Sequence, residues 1–308
     1  MPAALEAPEI GLCSLYFSTR MGEGIRMPGM LTLCATPIGN LEDISMRALR
    51  ALREADLIAA EDTRNSIRLL NHFDIHTPMT SYHEYNKYDK GRVLVRKMLD
   101  GENVVLITDA GTPGISDPGE ELVRMAWDAG IVVTAVPGPA AVITALTISG
   151  MPTRRFAFEA FLPHDKKERR QVLEELQTET RTIVLYEAPH RLRKTLQELA
   201  DFLGEERSIS LCRELTKLHE TVLQMTIGEA CVLYQNEEPR GEYVLVIAGK
   251  SVEELQSEAI EKWDQMPLEE HMKLYTEKGM SRKEAMKQVA ADRGVSKREI
   301  YQALLEEK

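Results

Sequence analysis

Apolar residues in the first half of the chain form short runs that alternate with segments of helical periodicity. The runs have the length of buried strands and lie at Leu31–Thr36, Leu57–Ala60, Asn103–Thr108 and Ile131–Ala135. Apolar positions three or four residues apart predict helices between them, at about Ser45–Ala55, at Ile67, Leu70 and Phe73, at Lys87–Leu99, at Gly119–Ala129 and from Pro139 to Gly150. This alternation of strand and helix predicts a parallel sheet covered on both faces.

The pattern changes after Gly150-Met151-Pro152, where we place a domain boundary. Predicted helices become fewer, at Lys166–Gln177 and Pro189–Phe202. Predicted strands follow one another more closely, at Arg155–Phe161, Arg181–Tyr186, Ser208–Cys212, Thr221–Thr226 and Gly241–Ile247. Because parallel neighbours need a crossover connection, the sheet of this half is predicted to be mixed. We therefore expect two α/β domains, residues 30–150 and 151–250.

Residues 251–308 are predicted to form a small helical C-terminal extension, beginning with a helix over Val252–Asp264. Further along, Gly294 would end one helix and Ser296 would cap the next, which is a helix-turn-helix-like pattern. At the other end of the chain, residues 1–29 show no clear periodicity, and we expect a disordered leader there.

Composition narrows the class of protein. The chain has 308 residues, 43% of them hydrophobic and 28% charged, with a net charge of −11, as in many globular proteins. No apolar run is long enough to span a membrane, and the N-terminal segment lacks the features of a secretory signal. The four cysteines are far apart, so we expect reduced thiols, a cytoplasmic location and no structural metal.

Charge is distributed unevenly along the chain. Residues 271–308 contain nine Lys or Arg against six Asp or Glu, whereas the remainder contains 29 basic and 43 acidic residues. A basic tail on an acidic body gives a weak indication of a nucleic-acid partner.

The segment ITDAGTPGISDPG, residues 107–119, is the clearest candidate for a ligand loop. Its glycines allow close approach of a ligand to the backbone, and its prolines hold the loop rigid. The chain has neither a P-loop motif nor GxGxxG after a strand, and Asp109 and Asp117 stand without a nearby lysine. Such a loop suits a cationic or donor-rich ligand; the alternative is a tight surface turn capped by aspartates.

Three more loops follow predicted strands: TPIGN (36–40), EDTR (61–64) and PGPAA (137–141). The carboxyl ends of parallel strands meet at one rim of a sheet, where ligands bind in open α/β folds. The sequence therefore predicts that these loops and the 107–119 loop share a site.

Seven segments together resemble the tetrapyrrole methylase superfamily, a class of S-adenosylmethionine-dependent methyltransferases. They are TPIGNLEDIS (36–45), ADLIAAEDTRNS (55–66), ITDAGTPGISDPG (107–119), VPGPAAVITAL (136–146), YEAPHR (186–191), CRELTKLHET (212–221) and RGEYVLVIAGK (240–250). Within the superfamily the chain closely resembles the ribosomal RNA branch, which methylates the ribose 2′-oxygen of a cytidine in the decoding region of 16S rRNA within the small ribosomal subunit. The resemblance implies two α/β domains with the cofactor cleft between them, and a homodimer.

The resemblance also implies which residues bind S-adenosylmethionine. The 107–119 loop would wrap the methionine and ribose parts, and the cationic sulfonium fits the absence of lysine. The superfamily's usual GxGxG is replaced here by TPIGN, which argues against a porphyrinoid substrate. The implied cofactor-binding residues are Pro37, Gly39, Asp109, Gly111, Thr112, Pro113, Ile115, Asp117, Pro137, Ala140, Ala141, Tyr186, Glu187, Glu214 and Glu242.

A ribose hydroxyl is a poor nucleophile, so a carboxylate or an imidazole should take or orient its proton. Asp62 and Glu61 are the first candidates, and His83, in another loop after a predicted strand, is the second. Arg64 would bind an RNA phosphate or hold these carboxylates. The alternative for this segment is an ordinary helix start capped by Asp62 or Thr63.

RNA also needs cationic contacts to its phosphates. The densest basic runs before the tail are Arg154-Arg155 and residues 166–170, although such runs are often solvated helix faces. In the tail, Lys and Arg cluster around the predicted helix–turn–helix. Two other functions stay open: methylation of a porphyrinoid carbon or a modified protein histidine, and a non-catalytic RNA-binding or assembly role.

Overall fold

A computed structural model describes residues 27–306, without the side chains at positions 252, 259, 262, 264 and 306. The disordered leader predicted for residues 1–29 lies, up to residue 26, outside the described residues. Gly29 donates a backbone hydrogen bond to the carbonyl of Met98 (2.7 Å), immediately before the first strand begins. After Ala140 the chain divides into two compact units, which we describe separately.

The described part of the first unit contains five strands and four α-helices. The strands are β1 (Met30–Cys34), β2 (Leu57–Ala60), β3 (Met79–Ser81), β4 (Val104–Ile107) and β5 (Val132–Val136). The helices are α1 (Met46–Glu54), α2 (Thr63–His72), α3 (Lys87–Leu99) and α4 (Gly119–Asp128), with a 3-10 turn at Leu41–Asp43. Wherever the apolar pattern predicts bounds, for β1, β2, β4, β5, α1, α3 and α4, the observed elements begin and end within two residues of them.

All five strands are parallel, in the order β3-β2-β4-β1-β5. In the centre, Val104 of β4 lies opposite Leu31 of β1 and Leu57 of β2. Because every strand points the same way, the residues that follow β1 to β5 meet at one side of the sheet. We call this side, formed by residues 35–45, 61–65, 82–86, 108–118 and 137–140, the first edge.

Alternating side chains of the buried strands fill two cores. Leu57 and Leu106 pack towards α3 and α4, whereas Ile58 and Ile107 pack towards α1 and α2. All four residues of β2 and of β4 are buried, as expected for central strands with helices on both faces. The two-sided parallel sheet predicted for this half is confirmed, and it holds the loops of the first edge on a rigid base.

The second unit begins with α5 (Ala141–Ile148), which packs on the strands of its sheet. The strands are β6 (Phe156–Phe161), β7 (Thr182–Glu187), β8 (Ser208–Arg213), β9 (Thr221–Thr226) and β10 (Tyr243–Ile247), in the order β6-β7-β10-β8-β9. Only β6 and β7 pair in parallel, so the predicted mixed sheet is confirmed. The face opposite α5 is covered by α6 (Lys166–Leu176), α7 (Pro189–Leu203) and α8 (Ile227–Asn236).

Three of the resembling segments meet at one side of this second sheet. Tyr243, at the start of β10, lies opposite both Glu187, at the end of β7, and Arg213, at the end of β8. Arg213 in turn lies opposite Thr221 of β9. We call this side, formed by residues 187–190, 213–221 and 240–243, the second edge.

The remaining helices are α9 (Val252–Asp264), α10 (Leu268–Glu277), α11 (Arg282–Asp292) and α12 (Lys297–Glu306). The last three share a small core of their own, which includes Met272, Val289 and Ile300. Between α11 and α12, Gly294 has a φ of +64° and the Ser296 hydroxyl accepts a hydrogen bond from the Glu299 N–H (3.3 Å). The helical extension and its predicted turn are confirmed. Among residues 27–306, no helix combines the length and apolarity that crossing a membrane requires.

Candidate active site

The loops after β1 and β4 are joined by backbone hydrogen bonds. Thr36 donates to the carbonyl of Gly111 (2.8 Å), and Gly111 donates back to Thr36 (3.1 Å). The side chain of Thr36 is buried, and its hydroxyl reaches the carbonyl of Thr108 (3.4 Å). This pairing brings the TPIGN segment, with Pro37 and Gly39, beside the glycine-rich loop, as the sequence predicts.

Gly111 shapes a narrow cradle at this point. Its φ is +86°, a backbone conformation that favours glycine, and a Cβ there would lie 3.2 Å from Cγ2 of Ile38 and 3.5 Å from the carbonyl of Pro139. The Thr112 hydroxyl donates to the same Pro139 carbonyl (2.9 Å), which adds the loop after β5. Three loops therefore surround a stretch of backbone that carries no side chain.

Asp117 organises the rest of the glycine-rich loop. Its carboxylate accepts N–H groups from Gly114 (2.8 Å), Ile115 (3.2 Å) and Gly119 (2.8 Å). These bonds hold the first turn of α4 and stabilise the positive φ of +66° at Ser116. The structure thus gives Asp117, which we expected near the ligand, a bonding pattern that fixes the loop.

Asp109 connects the loops after β4 and β2. One of its carboxylate oxygens accepts the backbone N–H of Asp62 (3.0 Å), and the other accepts the side-chain amide of Asn65 (3.1 Å). Asp109 therefore holds the start of α2 against the glycine-rich loop.

Asp62 caps α2 and is paired with Arg64. Its carboxylate accepts the Arg64 backbone N–H (2.8 Å) and forms two further bonds with the guanidinium, at 3.0 and 2.7 Å. These hydrogen bonds from Arg64 lower the pKa of Asp62 to about 2. Asp62 is thus a weak proton acceptor, while the side chain of Arg64 stays 89% exposed.

Glu61 lies beside this pair and is held differently. One carboxylate oxygen accepts the Thr108 hydroxyl (2.5 Å). The other accepts no hydrogen bond from any residue that the structure describes. A half-buried carboxylate with one oxygen fixed and one oxygen available has the arrangement of a general base.

His83 forms its hydrogen bonds within the loop after β3. Its backbone N–H donates to the side chain of Asn86 (2.8 Å), and its Nε2 lies 3.2 Å from the amide nitrogen of Asn86. Nδ1 is buried and has no hydrogen-bond partner among residues 27–306. Within residues 27–306, no hydrogen bond or ring contact joins His83 to Glu61 or Asp62.

In the second unit, Tyr186 supports α5. Its hydroxyl accepts the backbone N–H of Val142 (3.1 Å), next to Ala141 in the first turn of α5. Its ring packs edge-to-face against Phe158 and Phe161, and burial raises the pKa of the hydroxyl. Tyr186 therefore fixes the start of the helix that follows the PGPAA loop.

Glu187 faces the interior of the second unit. It is 2% exposed, and its carboxylate accepts the Ala188 N–H (2.9 Å) and the Thr195 hydroxyl. Arg191 lies 3.5 Å away as a counter-charge. Strand alternation turns Glu187 to the face opposite Tyr186, where it stabilises the start of α7. Its contact with the cofactor stays a prediction.

Glu214 and Glu242 are joined at the second edge by Lys217, whose ammonium lies 2.9 Å from the first carboxylate and 2.8 Å from the second. Glu214 has a φ of +52° and also accepts the Glu242 N–H (2.9 Å). Burial opposes its ionisation, but the Glu242 N–H and Lys217 outweigh burial and lower the pKa of Glu214. Both predicted cofactor carboxylates are thus held in an ion-paired loop.

The predicted basic run on α6 is partly paired with acidic side chains. Arg169 is 5% exposed and bonds to Glu198 (2.6 Å), and Arg170 bonds to Glu174 (2.8 Å). Two of its four cations therefore have structural partners, which favours the solvated-face alternative for this run.

Three residues that connect loops of the first edge are not among the predicted site residues: Thr36, Thr108 and Asn65. Thr36 and Thr108 are buried polar residues next to strand ends, and Asn65 reaches Asp109 from the first turn of α2. A polar side chain directly after an apolar run was the available signal. Their partners, however, lie 44 to 75 residues away, which the chain pattern does not reveal.

Comparison with known proteins agrees with this architecture. The family model described as Tetrapyrrole (Corrin/Porphyrin) Methylases matches residues 30–231. Uroporphyrin-III C-methyl transferase from Thermus thermophilus, solved with S-adenyl homocysteine, superposes with a TM-score of 0.52 at 19% identity, over 71% of this chain and 97% of that one. At this identity the likeness shows the fold.

Two relatives are much more similar in sequence, and both carry the name ribosomal RNA small subunit methyltransferase I. The protein of Halalkalibacterium halodurans is 48% identical over 273 residues, which cover 89% of this chain and 93% of the relative. That of Synechocystis sp. is 46% identical over 278 residues, covering 90% and 98%. This chain therefore belongs to the tetrapyrrole methylase family, within its group of ribosomal RNA small subunit methyltransferase I proteins.

Proposed function

We propose that this protein transfers a methyl group from S-adenosylmethionine to the ribose 2′-hydroxyl of a cytidine in the decoding region of 16S rRNA, within the small ribosomal subunit. The observation that carries the proposal is the identity of 46–48% to the two named relatives over about nine-tenths of the chain. The alignments with both relatives cover 273 and 278 residues, so they extend beyond residue 231, where the match to the family model ends.

The first edge fits the proposed cofactor. The cradle at Gly111 exposes backbone that a Cβ would crowd, and the carboxylates of Glu61, Asp62, Asp109 and Asp117 favour a cation. When bound, S-adenosylmethionine supplies a methyl group on a cationic sulfur. Pro37, Gly39, Gly111, Thr112, Pro113, Ile115, Pro137 and Ala140 would hold it, with Asp109 and Asp117 fixing the loops.

Glu61 is the proton acceptor that we favour. The attacking 2′-hydroxyl loses its proton as the new carbon–oxygen bond forms, so a carboxylate or an imidazole should receive or orient that proton. Asp62 is committed to Arg64, which lowers its pKa to about 2, whereas Glu61 keeps one oxygen available. The buried Nδ1 of His83 is less accessible. The exposed guanidinium of Arg64 would bind a phosphate of the RNA.

The test of the reaction is transfer of a labelled methyl group to small ribosomal subunits from cells that lack this methylase. Naked 16S rRNA and a porphyrinoid would be assayed in parallel, and the product nucleoside would be identified by mass spectrometry. We expect 2′-O-methylcytidine, or its doubly methylated form, in the subunits. Label in the porphyrinoid, or in no RNA although the cofactor binds, would contradict the proposal.

The role of Glu61 is tested by Glu61→Gln beside Asp62→Asn. We expect Glu61→Gln to lower kcat by about 10²- to 10⁴-fold while the affinity for S-adenosylhomocysteine changes little, since the amide keeps the shape but accepts no proton. Asp62→Asn should have the smaller effect on kcat. The reverse order would assign the proton to Asp62.

We also propose that two copies of the chain associate. β5 lies at an edge of the first sheet, and Val132, Thr134 and Ala135 on it are exposed. An exposed edge strand with apolar residues can be covered by a second chain. Light scattering should give twice the chain mass at micromolar concentration, and a monomer would contradict this proposal.

A further inference from the structure

The cations of α11 and α12 face solvent. Arg282, Lys283, Lys287 and Arg298 are exposed and Lys297 is half-exposed, and none of them forms an ion pair with the acidic side chains that the structure describes. We call these five residues the tail cations. They differ from the α6 run, in which Arg169 and Arg170 bond to glutamates.

Two acidic residues of the same helices, Glu284 and Glu299, form local hydrogen bonds. Glu284 accepts the N–H and hydroxyl of Ser281 (3.0 and 2.6 Å), and Glu299 accepts the N–H of Ser296 (2.7 Å). Both carboxylates lie in the first turn of a helix, where the peptide dipoles favour negative charge. They complete helix caps and leave the tail cations without partners.

Asp292 and Arg293 close the inner side of the extension. Asp292 accepts the hydroxyl of Tyr275 (2.6 Å) and lies 3.2 Å from Nε2 of the buried His271. Arg293 donates to Nδ1 of His271 (3.3 Å) and to the carbonyl of Met266. Because Arg293 can only donate, Nδ1 accepts and Nε2 carries the proton that points to Asp292. This network and the small core hold α11 and α12 in fixed positions.

An aromatic residue accompanies the cations on α12. Tyr301 is 55% exposed and Leu305 is 56% exposed. With Lys297 they follow a spacing of four residues, so the three share one face of the helix. Exposed cations beside an exposed aromatic ring are the combination with which proteins bind single-stranded nucleic acid, through phosphates and base stacking.

We propose that α11 and α12 form an RNA-binding surface, with the tail cations at backbone phosphates and Tyr301 stacked on an unpaired base. The inference rests on the proposed function for the identity of the RNA, which would be a single-stranded segment near the target cytidine. It adds a surface for the substrate that lies outside the first edge.

The test compares two triple variants of the full chain. Lys283→Gln/Lys287→Gln/Arg298→Gln removes three tail cations, and the control Arg92→Gln/Arg96→Gln/Arg124→Gln removes three exposed cations of α3 and α4. Glutamine forms helices about as well as lysine and arginine. Binding to purified small subunits and to 16S rRNA would be measured between 50 and 200 mM salt, together with the affinity for S-adenosylhomocysteine.

We expect the tail variant to lose about tenfold or more in RNA affinity at low salt. The slope of log affinity against log salt should become shallower by about 2 to 3, since each phosphate contact contributes about 0.7 to 0.9. The control should change affinity less than about twofold, and both variants should bind S-adenosylhomocysteine normally. Equal losses in both variants, or an unchanged slope in the tail variant, would overturn the proposal.

Tyr301→Ala separates stacking from charge. It should weaken RNA binding by about 5- to 100-fold without changing the salt slope, whereas Tyr301→Phe should bind like the unmodified chain. If Tyr301→Ala binds RNA as tightly as the unmodified chain, Tyr301 does not stack on a base. If RNA binding depends on the tail cations but no methyl group is transferred to RNA, the RNA-binding surface stands and the proposed reaction is refuted. If methyl transfer occurs but does not depend on the tail cations, the reaction stands and the surface is refuted.

Discussion

At the first edge, Glu61 keeps one carboxylate oxygen available and Arg64 points into solvent. At the second edge, Glu187 is buried against Thr195, and Lys217 joins Glu214 to Glu242. Both sets of residues stand next to strand ends and belong to the resembling segments. A charged residue at a strand end can therefore serve either a ligand or the fold. The face of the sheet to which its side chain points, and the partners available there, decide which.

The largest effect should come from Gly111→Val, which fills the cradle of the first edge. A branched side chain would meet Ile38 and the Pro139 carbonyl while adopting a φ of +86°, so we expect no measurable binding of S-adenosylhomocysteine by calorimetry. Gly130→Val is the matched control, because Gly130 also has a positive φ of +71° but has open space around its Cβ position. If Gly111→Val still binds S-adenosylhomocysteine, the cofactor does not bind against the backbone at Gly111.

Glu187→Gln should act on the fold of the second unit. Removing the charge weakens the bonds from Thr195 and Ala188 and leaves Arg191 without its counter-charge, so the free energy of unfolding should fall by about 1–3 kcal/mol. Urea denaturation measures this loss, and calorimetry should show unchanged affinity for S-adenosylhomocysteine. A weaker affinity for S-adenosylhomocysteine at unchanged stability would indicate instead that Glu187 contacts the cofactor.

Lys217→Met should have a smaller effect of the same kind. The side chain of Lys217 is about one-third exposed, so its two ion pairs are partly screened by solvent. We expect a loss of about 1 kcal/mol in unfolding free energy by urea denaturation. Lys217→Arg should lose less unfolding free energy than Lys217→Met, because arginine keeps the positive charge. A large fall in methyl transfer without destabilisation would instead indicate that the second edge contacts substrate.

The smallest effect concerns pH. Since the pKa of Glu214 is lowered in the folded chain from its usual 4.5, the unfolded chain binds the proton more tightly. The stabilisation from Glu214 is therefore complete above about pH 4.5 and is lost as the pH falls below it. Urea midpoints measured from about pH 6 down to about pH 3 should fall less steeply for Glu214→Gln than for the unmodified chain. Parallel pH profiles would exclude this coupling.

The sequence specified most of the fold because apolar periodicity is a local signal. β2, α3 and β9 occur at the residues predicted, and α1 lies within one residue of its predicted bounds, with Ser45 as its N-cap. The apolar pattern does not predict α8, which has Gly228 in its first turn. Its signal was nevertheless present: Thr226 and Glu229 form a capping box in the structure.

The site was less predictable than the fold. That Gly111 and Thr36 would meet followed from the parallel strand order, since both come after neighbouring strands. The commitment of Asp62 to Arg64 and of Asp117 to three backbone N–H groups depends on side-chain geometry, which residue type alone does not determine. The orientation of Glu187 followed from strand register, and a shift of one residue would have reversed it.

The position of β1 has a consequence for synthesis of the chain on the ribosome. β1 lies between β4 and β5, so both of its neighbours are made after it. Leu31 pairs with Val104, which is 73 residues later in the chain. At about 5–20 residues per second, an apolar strand waits roughly 4 to 15 s for its first partner. The newly made N-terminal region is therefore a segment that a nascent-chain chaperone would bind before the first sheet can close.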